Sequence, residues 1–152
     1  MARETREQDS PGREPAAAIA PPERQPGGGL DSRLHAGREA HAPWVWVNGG
    51  FMSAEALRPH FFTHALHYGS GVFEGIRCYP TQSGGAAVFR LHDHMERLLA
   101  SARFYRMKME YGAHELGAAA LETARRNGIA SGYIRPLAFY GEGSIHLTPS
   151  LG

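Results

Sequence analysis

Two different repeats of apolar positions run along this chain, and each predicts a different kind of backbone. Residues 44–47, Trp-Val-Trp-Val, are aromatic and β-branched throughout, and the Asn-Gly pair at residues 48–49 favours a tight turn between strands. Residues 75–79 predict a further strand, and residues 86–91 predict its partner across a turn at residues 83–85. These patterns together favour antiparallel hairpins.

After the predicted hairpins, the apolar residues recur at the spacing of a helix. Four apolar residues recur at intervals of three and four positions and form one stripe: Met95, Leu98, Leu99 and Ala102. Asp93 and Glu96 stand three residues apart, as in a capping box, so we expect this helix to begin near Asp93. A second helix is predicted over residues 113–126, where an Asn-Gly pair at residues 127–128 ends it.

The alternation of residue types over residues 133–140 is regular enough to predict a buried strand. The glycine and proline residues that follow end this pattern. The predicted fold is therefore α+β, an antiparallel sheet with two helices. We place the folded domain at residues 43–142. Residues 143–152 predict the start of an interdomain loop, because a glycine- and proline-containing stretch directly after a strand is typical of a domain boundary.

The first 42 residues differ in composition from the rest of the chain. They are rich in proline and in charges of both signs, and they contain no aromatic residue. Such a stretch cannot bury enough apolar surface to offset the entropy of ordering it, so we interpret residues 1–42 as a disordered tail. The stretch lacks the apolar core of a secretory signal, and its frequent acids disfavour a transit peptide. Upstream sequence included by an early start codon is the alternative interpretation.

Composition narrows the function classes. The formal net charge is +1, which predicts no attraction to nucleic acid or to an anionic membrane, and no apolar segment has the length needed to span a bilayer. The single cysteine, Cys78, excludes an internal disulfide and favours a reducing, cytoplasmic setting. No histidine pair combines metal-binding spacing with a Cys-x-x-Cys motif, so we expect no zinc site.

Residues 64–79 read His-Ala-Leu-His-Tyr-Gly-Ser-Gly-Val-Phe-Glu-Gly-Ile-Arg-Cys-Tyr, a run too polar for a core and too aromatic for a solvent loop. Such a mixture suits the wall of a small-molecule site, and its glycines allow close approach. Strand alternation places Phe73, Gly75 and Arg77 on one face, where core packing of Phe73 competes with a binding role. Glu74 has the opposite parity, and we assign it no catalytic role.

Two further segments carry candidate chemistry. Tyr133 and Arg135 point to the same face of a strand, and a phenol beside a guanidinium makes a receptor for a carboxylate. Arg97 lies at the edge of the apolar helix stripe, where the sequence alone favours a solvated arginine. His64 and His67 are interpreted as structural hydrogen-bonding residues rather than as acid or base groups.

Three motifs resemble those of bacterial branched-chain amino-acid aminotransferases, which are pyridoxal phosphate (PLP) enzymes of fold type IV. They are residues 64–79, His-Met-Glu-Arg-Leu at residues 94–98, and Tyr-Ile-Arg-Pro at residues 133–136. The resemblance covers roughly residues 44–152. The corresponding stretch lacks the Asp-Arg-Gly and Gly-Asp-Gly motifs of the related D-amino-acid aminotransferases and aminodeoxychorismate lyases, which favours the branched-chain type.

The resemblance implies roles for individual residues. Arg97 would bind the phosphate of PLP, a task that suits the planar fork of donors on a guanidinium. The substrate pocket would contain Tyr68, Phe73, Gly75, Arg77, Tyr133, Arg135 and Leu147. In enzymes of this family, the tyrosine matching Tyr68 reaches the site of the neighbouring subunit, and we expect the loop near Leu147 to do likewise.

The resemblance also implies a function, transfer of the amino group of leucine, isoleucine or valine to 2-oxoglutarate, in a homodimer or higher homo-oligomer. The family's Schiff-base lysine lies in a second, larger domain, whereas the only lysine here, Lys108, matches no catalytic position. We therefore expect the chain to be the small N-terminal domain, a truncated fragment with no catalytic residue and no activity alone. Two alternatives stay open: one half of a split aminotransferase, and a non-catalytic dimerisation or partner-binding module.

Overall fold

Three helices and a set of short antiparallel strands form the part of the chain that the computed structural model describes, residues 17–19 and 43–143. The strands are β1 Ala17–Ile19, β2 Trp44–Val47, β3 Gly50–Ser53, β4 Gly71–Phe73, β5 Ile76–Pro80, β6 Ala86–Val88, β7 Gly132–Ile134 and β8 Leu137–Phe139. The helices are α1 His64–Tyr68, α2 Leu91–Phe104 and α3 Ala113–Arg126. The α+β class predicted from the sequence is confirmed, with α1 as an additional short helix.

Both predicted hairpins are present. β2 and β3 pair antiparallel across Asn48 and Gly49, whose φ angles of 44° and 91° give the left-handed turn that this residue pair favours. β5 and β6 also pair antiparallel, in a sheet with the strand order β1-β6-β5-β7. β6 is shorter than predicted because residues 89–90 form a turn and Leu91 is the first residue of α2.

The strand β1 lies inside the segment that the sequence predicts to be disordered, and it differs from that prediction. Its residues pair antiparallel with β6 and cover one edge of that strand. The sequence is apolar and uncharged over residues 16–20, and an open strand edge offers unpaired N–H and C=O groups. The other residues of 1–42 lie outside the described ranges, so their disorder stays a prediction.

The helices α2 and α3 pack against each other, and each contributes residues to the core. The predicted stripe of α2 is buried, with exposed fractions no higher than 8% for Met95, Leu98, Leu99 and Ala102. The predicted capping box is wrong, because α2 begins at Leu91 and Asp93 instead accepts a hydrogen bond from the side chain of the N-cap residue, Arg90. Leu91 belongs to the core, and its burial draws the start of the helix ahead of Asp93.

The strand pairs β4–β8 and β5–β7 form one antiparallel ribbon that is interrupted halfway. The register continues without a shift from one pair to the other. Between the pairs, residues 74–75 lie opposite residues 135–136, and we call these four residues the ribbon bend. The regular ladder stops here because Pro136 has no N–H to donate, although its carbonyl accepts a hydrogen bond from the Glu74 N–H at 3.0 Å.

The single buried strand predicted over residues 133–140 is wrong in two respects. The ribbon bend divides it between β7 and β8, which belong to different sheets. One of its faces is exposed, since Tyr133 is 56% exposed and Leu137 is 57% exposed. Apolar residues stand at both parities of this segment, so the pattern favoured burial on both sides, but only Ile134, Ala138 and Tyr140 of the segment pack against the core.

Candidate functional site

The exposed face of the ribbon gathers aromatic and cationic side chains around the bend. The Arg135 guanidinium lies over the Phe73 ring, 4.3 Å from its centroid, and its Nη2 donates to the Tyr133 hydroxyl at 3.3 Å. Arg77 stands directly opposite Tyr133 in the register. We call five residues the outer cluster: Phe73, Gly75, Arg77, Tyr133 and Arg135. They share a face, as strand alternation predicts, because the register crosses the bend without a shift.

The position of the Tyr133 side chain leaves no room for a side chain at position 75. A Cβ atom at Gly75 would lie 1.9 Å from the Tyr133 hydroxyl oxygen, closer than non-bonded atoms can approach. The tyrosine side chain therefore reaches over the backbone at the bend, where a residue without a side chain leaves room. A larger residue would push the Tyr133 hydroxyl away from the Arg135 guanidinium.

Arg135 has no carboxylate partner among residues 43–143. Its neighbours are the face of Phe73, the ring of Tyr133 at 5.3 Å and the phenol oxygen. These contacts hold the guanidinium without neutralising it, because an aromatic face attracts a cation through its quadrupole and carries no net charge. The outer cluster thus presents a positive group beside apolar rings, which suits an acid with an aliphatic side chain.

Glu74 lies on the opposite, buried face of the bend and is only 5% exposed. Arg97 of α2 makes a two-pronged contact with it, in which Nε donates to Oε1 at 2.6 Å and Nη2 donates to Oε2. His94 Nδ1 lies 3.0 Å from Oε2. The hydrogen bonds from Arg97 are the largest cause that lowers the pKa of Glu74; burial opposes them, and His94 adds a smaller lowering.

Glu74 is the residue of this site that the sequence pattern missed. One signal was present, because Val72, Ile76 and Cys78 share its parity and are buried, and a carboxylate in such a row needs a partner. The pattern did not indicate that partner, which comes from 23 positions away on a different element.

Arg97 is not the fully solvated arginine that the helix pattern favours. Glu74 engages Nε and Nη2, which form one edge of the planar guanidinium, and these hydrogen bonds raise the pKa of Arg97. The Arg97 side chain is nevertheless 66% exposed, so the rest of the guanidinium faces outward in a held orientation. A guanidinium held along one edge and exposed along the other can receive an anion such as a phosphate.

Tyr68 lies on a separate element, as the last residue of α1. Gly69 follows with a φ of 63° and ends the helix, and it was the one available signal for an element too short to show periodicity. His64 Nδ1 lies 2.7 Å from a buried serine hydroxyl, and His67 Nε2 lies 2.9 Å from a backbone carbonyl, as expected of structural residues. The Tyr68 ring packs on His64, with 4.6 Å between centroids, and stays 46% exposed.

The remaining candidate positions lie elsewhere. Leu147 is outside the described residues. Lys108, the only lysine of the sequence, is exposed on the segment between α2 and α3 and belongs to neither strand pair of the ribbon. Within residues 17–19 and 43–143, no helix has the length and apolar character to cross a membrane, and no three His, Cys, Asp or Glu side chains group as a metal site.

The family model of amino-transferase class IV matches residues 71–151, which is more than half of the chain. The matched range contains the whole ribbon and α2. Every residue of the outer cluster lies inside it, as do Glu74 and Arg97.

Curated relatives are much longer than this chain. The branched-chain-amino-acid aminotransferase of Escherichia coli (strain K12) is 42% identical over 111 residues, which are 73% of this chain and 36% of the relative. The crystal structure of the E. coli branched-chain amino acid aminotransferase matches with a TM-score of 0.70 at 42% identity, over 74% of this chain and 36% of that chain. A T.th. branched-chain amino acid aminotransferase complexed with N-(5'-phosphopyridoxyl)-L-glutamate matches with a TM-score of 0.70 at 43% identity, over 73% and 37% of the two chains. This chain thus spans about a third of the length of the curated relatives it matches.

Proposed function

The chain belongs to the class IV aminotransferases, and from this premise we propose that it forms the small N-terminal domain of a branched-chain amino-acid aminotransferase. The complete protein then moves the amino group of leucine, isoleucine or valine to 2-oxoglutarate. The ribbon bend carries this proposal, because it holds Arg97 on one face and the outer cluster on the other. Relatives 42% identical to the chain bear that name, which supports the assignment.

Pyridoxal phosphate is the cofactor in this proposal, and it supplies the electron sink for the reaction. A matched structure carries a phosphopyridoxyl ligand, and the exposed edge of the Arg97 guanidinium fits the phosphate of such a group. A guanidinium stays charged at any physiological pH, so Arg97 offers its positive charge to the phosphate throughout that range. Arg97 therefore binds and orients the cofactor, while Glu74 holds the opposite edge of the guanidinium.

The outer cluster binds the substrates in this proposal. Tyr133 and Arg135 receive a substrate carboxylate, since the charge of Arg135 is not balanced by any acid among residues 43–143. The exposed Phe73 ring and the gap at Gly75 take the aliphatic side chain. Arg77, opposite Tyr133 in the register, supports the second carboxylate of the acidic co-substrate.

Tyr68 and Leu147 contribute to the site of the neighbouring subunit of a homodimer or higher homo-oligomer. The exposed ring of Tyr68 suits that position, because a tyrosine buries a large apolar surface while its hydroxyl keeps a polar partner. Mixed dimers test this assignment. A subunit with Tyr68→Ala combined with one lacking the catalytic lysine should partly recover aliphatic turnover. Hybrids no better than the Tyr68→Ala homodimer would place Tyr68 in the site of its own subunit.

The lysine that PLP transamination requires lies outside this sequence in the same proposal, so the 152-residue chain is inactive alone. The single cysteine, Cys78, supports a reducing, cytoplasmic setting for the protein. The purified chain, mixed with PLP, leucine and 2-oxoglutarate, should form no glutamate, whereas the complete protein should form it. Glutamate formation by the chain that Lys108→Ala abolishes would overturn the proposal. Formation that survives Lys108→Ala would show a contaminating enzyme.

A partner-binding module is the second candidate, and exposed apolar side chains favour it. Phe61, Leu66 and Phe104 are 71%, 63% and 87% exposed, and a contiguous patch of such residues would mark a surface that binds a partner. Binding of a partner by a complete protein with no affinity for PLP would support the module. The nucleotide sequence downstream separates the alternatives: a lysine domain in frame supports one enzyme, a lysine domain in an adjacent gene supports a split one, and unrelated sequence supports the module.

A further inference from the structure

The Glu74 carboxylate stands beside the guanidinium that is proposed to bind the cofactor phosphate. The backbone N–H of Glu74 donates a hydrogen bond to the Pro136 carbonyl at 3.0 Å. Both carboxylate oxygens of Glu74 accept hydrogen bonds from Arg97, and His94 Nδ1 lies 3.0 Å from Oε2. Glu74 is buried, whereas most of the Arg97 side chain is exposed. Glu74 is therefore the fixed member of the pair, and the orientation of Arg97 depends on it.

Glu74 has two effects on phosphate binding, and they have opposite signs. By charge alone, a carboxylate near a phosphate repels it and lowers the affinity. By geometry, Glu74 keeps a long, flexible side chain in one orientation, so less conformational entropy is lost when a phosphate binds. The contact engages Nε and Nη2 together, which fixes the plane of the guanidinium as well as its position and turns its other edge outward.

We propose that Glu74 is a positioning residue that raises the affinity of the complete protein for the phosphate of PLP by holding Arg97, in spite of its own negative charge. The inference rests on the proposed role of Arg97 as a phosphate ligand. It differs from a charge argument in sign, because neutralising Glu74 weakens phosphate binding instead of strengthening it.

The test titrates the cofactor-free complete protein with PLP and with pyridoxal, which lacks the phosphate. Glu74→Gln keeps the size of the side chain and removes its charge, whereas Glu74→Asp keeps the charge and shortens the reach. Both variants should bind PLP roughly tenfold more weakly, as for the loss of one charged hydrogen bond, with unchanged affinity for pyridoxal. Glu122→Gln is the matched control, because Glu122 also accepts from two arginines but within α3, and it should change neither affinity.

A double variant tests the route through Arg97. In an Arg97→Ala background, Glu74→Gln should weaken PLP binding no further, since the side chain that Glu74 positions is gone. An additional loss in that background would overturn the inference, because Glu74 would then act without Arg97. If the Glu74 variants fail to fold, Arg97→Lys replaces them in the test. This variant keeps the positive charge and loses the two-pronged contact, so it should weaken the binding of PLP but not that of pyridoxal. Unchanged PLP binding by Arg97→Lys would overturn the inference.

The remaining outcomes separate this inference from the proposed function. Tighter or unchanged PLP binding by Glu74→Gln would overturn the inference, and so would an equal loss of PLP and pyridoxal affinity, which marks general damage to the fold. If Arg97→Ala leaves PLP affinity unchanged, the phosphate role of Arg97 fails together with the inference. If Arg97→Ala weakens PLP binding and Glu74→Gln does not, only the positioning inference fails.

Discussion

Arg97 and Arg135 meet the two faces of the same ribbon bend and are held in opposite ways. On the buried face, Glu74 accepts from Nε and Nη2 of Arg97, so a carboxylate balances that charge locally. On the exposed face, Arg135 lies against the rings of Phe73 and Tyr133, and no carboxylate among residues 43–143 balances it. The two arginines differ mainly in their partners.

This difference teaches that the partner of an arginine decides what the arginine can do. A two-pronged ion pair orients a guanidinium and offsets part of its charge, which suits a strongly charged phosphate that remains bound. Aromatic contacts orient a guanidinium and leave its charge available, which suits carboxylates that bind and leave in each turnover. In the proposed function, Arg97 therefore serves the cofactor and Arg135 serves the substrates.

The largest expected effect is on stability, and it falls on the buried face alone. Glu74→Ala should lower the free energy of unfolding of the 152-residue chain by about 2 kcal/mol, because it removes two charged hydrogen bonds at a buried position. Arg135→Ala should stay within about 0.5 kcal/mol, as exposed substitutions do. Urea denaturation of both variants measures the difference. Equal losses would mean that the two faces do not differ as the contacts indicate.

The next effect separates the two arginines by function. In the complete protein, Arg135→Ala should raise the KM for 2-oxoglutarate roughly tenfold, about 1.4 kcal/mol, and leave PLP affinity unchanged. Arg97→Ala should do the reverse and weaken PLP binding at least roughly tenfold. Steady-state kinetics at saturating PLP and a separate PLP titration measure the two effects, with Arg125→Ala on α3 as the control. A loss of PLP affinity in Arg135→Ala would contradict the division of roles.

Regularly spaced segments of this fold could be predicted from the sequence, whereas short or long-range features could not. α3 has its predicted bounds, Ala113–Arg126, and the Asn-Gly pair at residues 127–128 was the signal for its end. α1 has five residues, too few for a period to show. The ribbon bend arises from pairing between strands far apart in the sequence, so Pro136 alone indicates a break in a ladder but not which residues lie opposite it.

The candidate site divides in the same way. Strand alternation predicted that Phe73, Gly75 and Arg77 share a face, because that inference needs only local parity. The same alternation predicted that Glu74 lies on the opposite face. It did not predict the contact with Arg97, because that contact joins a connection between strands to a helix. The functional roles of these residues, and of Leu147 beyond the described ranges, stay predictions.

A smaller effect concerns the dependence of stability on pH. The folded-state pKa of Glu74 lies below the ordinary value, so its carboxylate stabilises the fold above that value and stops doing so as the pH falls through the lowered pKa. The stability difference between the wild type and Glu74→Gln should therefore shrink as the pH falls below about pH 4. Urea denaturation of the 152-residue chain at a series of pH values measures it. The difference between the wild type and Arg135→Ala should not change over this range, and a parallel change would reveal a carboxylate partner for Arg135.

The smallest expected effect comes from Gly75→Ala, which adds one methyl group between the two faces. The new Cβ would meet the Tyr133 hydroxyl oxygen at 1.9 Å, so the tyrosine must move away from Arg135. Because the displaced atom is the end of an exposed side chain, the free energy of unfolding should fall by less than about 1 kcal/mol. In the complete protein, the KM for 2-oxoglutarate should rise roughly threefold, since the long hydrogen bond that Arg135 donates to the Tyr133 hydroxyl is lost, while PLP affinity stays unchanged. Gly141→Ala is the matched control, because a Cβ there would meet no atom within 4 Å.

A loss of PLP affinity in Gly75→Ala would contradict the separation of the two faces. It would show that the bend transmits strain from the outer cluster to the Glu74–Arg97 pair, and the two arginines would then have to be treated as one coupled site.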